Sequence, residues 1–142
     1  MKDLPNNFWR FYKDQSGAVA IEFVLIGPLL FTLLLGIITV GYFMGVSHSV
    51  LQLASGAARA SVAGLDQAER ATLVNTYLSE AHTRYPLLTT DGLVPTVTFE
   101  GSDPAGITVE VSYSVDGTLL DVTNSFLKLG IETIHGRAYL AY

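Results

Sequence analysis

The chain has no cysteine among its 142 residues, which excludes disulfide frameworks, thiolate zinc sites and cysteine nucleophiles together. It is also poor in positive charge: 8 Lys and Arg against 13 Asp and Glu leave a formal net charge of −5. That balance disfavours nucleic-acid binding, which neutralises phosphates with clustered basic side chains. Histidine is scarce as well: the three residues His48, His82 and His135 lie apart, with no HExxH or paired spacing for a metal. No GxSxG elbow occurs, EF-hand spacing is absent, and Gly64 and Gly101 are too isolated to cradle a phosphate. Asp91, Asp103 and Asp116 each stand beside a Gly or Pro, as turn residues do. No catalytic residue, metal or cofactor is assigned, and the chain reads as a non-enzyme.

What is present is apolar. Hydrophobic residues make up 49% of the chain and charged residues only 15%, which is incompatible with disorder. From Phe23 through Ala58 there are 36 consecutive residues without Asp, Glu, Lys or Arg. Within that run, Phe23–Val46 as a helix is about 36 Å long, against a bilayer core of about 30 Å. Its 15 Leu, Ile, Val and Phe residues favour insertion by roughly 5–9 kcal/mol in sum. Glu22 at the edge opposes this by at most about 3 kcal/mol, even if placed at the bilayer centre. A transmembrane helix follows. A secretory signal has a shorter apolar region, typically about 7–15 residues.

Lys2, Arg10 and Lys13 precede the span, and the next basic residue is Arg59. The positive-inside rule therefore keeps the N-terminus cytoplasmic and exports the remainder. Phe8, Trp9, Phe11 and Tyr12 suit an aromatic segment on the inner surface of the cytoplasmic membrane. The organisation read from the sequence is a basic leader at 1–17, a transmembrane helix at 18–46 and an exported domain at 47–142, periplasmic or extracellular.

Ser47–Gly64, rich in small residues, is expected to continue the helix. Asp66 and Glu69 have capping-box spacing and open a second helix. Its apolar positions Val74, Tyr77, Leu78, Ala81 and Tyr85 share one face, and Pro86 stops it. Val94–Glu100 reads as a strand, followed by a turn at Asp103-Pro104-Ala105-Gly106. Ile107, Val109, Val111, Tyr113 and Val115 alternate with polar residues in the clearest strand of the chain. Ile131–Tyr142 is a third strand candidate, and Leu119–Leu129 is either loop or one or two helical turns. The fold class is α+β: a long transmembrane helix, a second amphipathic helix and an antiparallel sheet of about three strands. So small a sheet needs a helix on one face, and residues 70–85 are the expected cover.

The membrane border carries the sharpest constellation, Ser16-Gly17-Ala18-Val19-Ala20-Ile21-Glu22-Phe23. Cleavage between Gly17 and Ala18 would remove the basic leader and expose an amine four residues from Glu22. An ammonium and a carboxylate about 4 Å apart attract by about 4 kcal/mol at an effective dielectric of about 20. A carboxylate snorkelling to the headgroups is the plainer reading. Further on, Gly41 and Gly45 form a GxxxG that permits close helix packing, extended by Ser49, and Pro28 is placed to kink the span.

Glycine, four residues, glutamate, an aromatic and a long apolar helix together resemble the processing site of Flp-type (type IVb) prepilins. GAVAIEFVLIGPLLFTLLLGIITVGYF is similar to the TadE-like family of minor pseudopilins of tight-adherence pilus systems. Gly56-Ala57-Ala58-Arg59-Ala60 resembles the small-residue-plus-arginine segment that follows the span in that family. Phe23 stands where tyrosine is frequent in major Flp pilins, and the exported domain exceeds theirs. The resemblance covers residues 16–61. It implies cleavage after Gly17 by an aspartyl prepilin peptidase, an assembly role for Glu22 and Phe23, and other pilins and pseudopilins with their assembly machinery as partners. The alternative is an unprocessed single-pass anchor bearing a scaffold or adhesin domain.

Overall fold

The computed structural model describes residues 16–101 and 105–142. The leader residues 1–15, and Asp103 and Pro104 of the expected turn, lie outside the described residues. The chain divides into two compact units, Met1–Ile38 and Thr39–Tyr142. The long apolar helix α1 runs from Ser16 to Ala60 and is followed by a 3-10 turn, Ser61–Ala63. In the first unit α1 is an apolar helix whose described side chains are mostly exposed: Phe23, Leu25 and Leu29 are about 70% exposed. A helix apolar all round, with its side chains uncovered, suits lipid rather than water. Pro28 sits inside α1, and the Thr32 hydroxyl donates to the Pro28 carbonyl at 2.8 Å.

In the second unit the same helix becomes the floor of a core. Val46, Val50, Leu53, Ala54, Ala57 and Ala58 are almost completely buried. They recur at i, i+4, i+7, i+8, i+11 and i+12, one helical face. Against it lies an antiparallel sheet of order β1-β2-β3, with β1 Leu93–Glu100, β2 Gly106–Ser114 and β3 Thr133–Ala141. The alternation in β2 is realised: Ile107, Val109, Val111, Tyr113 and the following Val115 are buried, while Glu110 is exposed. Burying each aliphatic side chain stabilises by roughly 1.5–3 kcal/mol over leaving it exposed. Thr108, read as outward, is buried too. Thr98 and Tyr139 flank it across the ladder, and its hydroxyl donates to Glu100 Oε1 at 3.1 Å. Pro95 is tolerated because β1 is an edge strand, where a missing N–H need cost no ladder bond.

The second helix is broken. The α2 helix covers Gln67–Ser79 and the single turn α3 covers Ala81–Arg84, with Glu80 between them at φ −90° and ψ 10°. The capping box forms: Asp66 Oδ1 accepts from the Glu69 N–H, and Glu69 Oε2 accepts from the Leu65 N–H, both at 2.8 Å. The apolar face survives the break, since Val74, Leu78 and Ala81 are buried with Tyr77 and Tyr85 packed beside them. Residues 70–85 do not cover the sheet alone, however. The backbone of α1 passes so close to β3 that a Cβ on Gly136 would stand 2.8 Å from the Val50 carbonyl oxygen. The ambiguous segment is helical: α4 spans Leu119–Leu127 and ends at Lys128, whose φ of 52° is left-handed. The Asn124 side chain then holds the return to β3, donating to the Ile131 carbonyl at 3.0 Å and accepting from its N–H at 3.3 Å.

Candidate functional site

The proposed processing junction lies in the first turn of α1. Gly17 is exposed, and a Cβ there would meet nothing within 4 Å, so no fold contact requires glycine at this position. Ala18 follows in the helix. Glu22, one turn from Ala18, and Phe23 are both exposed. Among the described residues there is one ion pair, Arg84 with Glu80 at 2.5 Å, and Glu22 is in none. A carboxylate on an apolar, uncovered helix is available to a cation from outside.

The two glycines of the GxxxG differ in their surroundings. A Cβ on Gly45 would stand 3.0 Å from Leu87 Cδ1, whereas one on Gly41 would meet nothing within 4 Å. Gly45 thus serves close packing inside the second unit, where the Ser49 hydroxyl also donates to its carbonyl at 2.8 Å. Gly41 remains open to a neighbour.

The Gly56–Arg59 segment has a physical role that its composition does not reveal. A Cβ on Gly56 would collide with the Tyr77 hydroxyl, so glycine admits that ring to the helix surface. Ala57 and Ala58 are buried, and Arg59 is exposed at the mouth of an open recess of about 500 Å³. Gln52, Ser55, Tyr77 and Tyr85 line the same recess. The two tyrosine hydroxyls approach to 3.5 Å, and the Arg84 guanidinium lies 4.6 Å from the centre of the Tyr77 ring. Burial, and then the hydrogen bond to Tyr77, push the Tyr85 hydroxyl up to about 12. The recess therefore presents two tyrosine hydroxyls and a cation. Sequence reasoning placed Tyr77 and Tyr85 on a core face; their eight-residue spacing was the one available hint that the hydroxyls meet.

The histidines stay apart. His48 Nε2 meets the Gln52 amide at 2.6 Å, His135 Nδ1 meets the Ser112 hydroxyl at 2.9 Å, and His82 is exposed. No three His, Asp or Glu side chains converge as metal ligands do among the described residues.

Neither a curated protein nor a solved structure matches this chain. A family model does, and its match begins at Gly17 and ends at Arg59, the residues that open α1 and border the recess. Residues 17–59 match the model of the TadE-like protein family.

Proposed function

We propose that the chain is a minor pseudopilin, a structural component for assembling a tight-adherence (Flp-type) pilus. The TadE-like match supports association with that system. The single helix long and apolar enough to cross a membrane, found among the described residues, supports anchoring by one span. In this reading a prepilin peptidase cuts after Gly17, and α1 of the mature chain joins other pilins or pseudopilins in a helix bundle. Glu22 then accepts the Ala18 ammonium of a neighbour, which sets axial register as well as attraction. No catalysis is proposed.

The observation that carries the reading is the match opening at Gly17, with Glu22 exposed one turn beyond the proposed new terminus. The test is Glu22→Gln, which keeps the volume and removes the charge. An ammonium left buried without its partner costs about 3–5 kcal/mol, enough to suppress one assembly geometry a hundredfold or more. The variant should reach the membrane and be cleaved, yet fail to support pili, as counted by electron microscopy beside an immunoblot of the membrane fraction. Normal pili at equal protein level would mean that Glu22 is merely tolerated.

A further inference from the structure

The α4 helix has three faces. Leu120 and Thr123 are buried in the domain, and Asp121, Asn124 and Ser125 bond the local backbone. The third face is apolar and bare: Leu119, Val122 and Phe126 are 41%, 55% and 78% exposed. On a helical wheel these three fall within about 60° of one another. Leu129, just past the helix, is 47% exposed. A contiguous apolar stripe is a surface that another apolar surface or lipid can cover.

Its height along α1 says by what. Contacts within the second unit place the sheet beside the helix. Gly136 of β3 touches Val50, Leu87 touches Gly45, and Tyr42 packs against the core beside Tyr113. At the other end Arg70 lies 3.6 Å over the Tyr142 ring and donates to the Gly64 carbonyl. So β2 runs opposite to α1. Val111, which pairs with Gly136, lies level with Val50. From Val111 to Val115 the strand advances about 13 Å. From Val50 back to Tyr42 the helix retreats about 12 Å. The turn that enters α4 is therefore level with Tyr42, inside the last turn of the apolar run that ends at Val46. At that level α1 itself still exposes Phe43 and Met44, the latter at 65%.

We propose that α4 is a membrane-interfacial helix, with Leu119, Val122, Phe126 and Leu129 resting in the lipid boundary from which α1 emerges. The proposal rests on the reading of α1 as a membrane span. Two uncovered apolar surfaces, one on α1 and one on α4, share one level, and lipid covers both at once. Helices with one apolar face bury it about 5–10 Å into the headgroup and acyl boundary. Lys128, at the exposed end of α4, has the reach to keep its ammonium among the headgroups.

Because the chain has no cysteine, single-cysteine variants label cleanly. Phe126→Cys, Val24→Cys and Thr72→Cys of the full chain, each carrying an NBD fluorophore, would be placed in phosphatidylcholine–phosphatidylglycerol vesicles. Part of the lipid bears a spin label on its acyl chain. Positions 126 and 24 should lose most of their emission to the spin-labelled lipid, and exposed position 72 on α2 should keep its own. Quenching at 24 with position 126 open to aqueous iodide would overturn the inference and leave the span standing. Shielding of position 126 from both quenchers would also overturn it, because a second copy or another protein then covers the face. No quenching at 24 would remove the span, and this inference with it.

Discussion

Gly136 of β3 and Val50 of α1 meet backbone to backbone. A Cβ at position 136 would lie 2.8 Å from the Val50 carbonyl oxygen and 2.9 Å from its carbon. Neither atom can swing aside as a side chain would, so Gly136→Ala must push the strand from the helix. Overpacking of this kind costs about 1–3 kcal/mol. The thermal midpoint of the full chain in detergent, followed by circular dichroism, should fall clearly. Gly41→Ala, with open space around it, should leave that midpoint where it was.

The centre of β2 tests the core directly. Val111 is fully buried, and truncation to Ala removes two methyl groups at a cost of about 1–3 kcal/mol. Ser112→Ala, one residue on, loses only an exposed hydrogen bond to His135 and should stay within about 0.5 kcal/mol of the parent. Denaturant titration of the two variants side by side measures the contrast. Equal effects would reverse the assignment of the strand's inner face.

Alkaline titration reports the tyrosine pair. The folded protein holds the Tyr85 proton more tightly than an unfolded chain, with its hydroxyl raised from 10.0 to about 12. The folded state therefore binds more protons than the unfolded one between these values, and stability falls as pH rises through that window. This contribution is intact below pH 10.0, the ordinary value for tyrosine. Tyrosinate absorbance should show a late component that Tyr85→Phe abolishes. If the substitution leaves the high-pH limb unchanged, the two hydroxyls are not in contact.

Processing is tested at Gly17. A peptidase that needs a residue without a side chain before the scissile bond would not accept leucine, so Gly17→Leu should accumulate the full-length form. The fold itself should tolerate the change, because a Cβ at this position has open space around it. N-terminal sequencing of the parent from a peptidase-competent strain should begin at Ala18. Recovery of Met1 or Lys2 would favour the unprocessed anchor.

Much of this architecture was legible before any coordinates. Strict alternation from Ile107 to Val115 identified a strand, because a period of two puts every second side chain on one face of a sheet. Asp66 and Glu69 announced a helix start through local chemistry alone. The segment Leu119–Leu129 was not legible. Its apolar residues serve two surfaces, one buried and one bare, and the nine residues of its helix, Leu119–Leu127, are too few for periodicity to separate them. The break at Glu80 was also hidden, since the apolar face continues across it.

The amino-acid order alone determined the uncovered span, the polarity switch at Gly17–Phe23 and the alternating strand, because each depends on neighbours along the chain. Which surface covers the sheet was decided only in three dimensions. Val46 ends the apolar run, and Val50, Leu53, Ala54, Ala57 and Ala58 follow it in a segment rich in small residues whose order does not say what they pack against. Only contact with the sheet buries them, while Phe23, Leu25 and Leu29 of the same helix stay exposed. The same holds for Gly45, Gly56 and Gly136: composition shows three glycines, and the tertiary structure shows which atom occupies the place of each missing side chain.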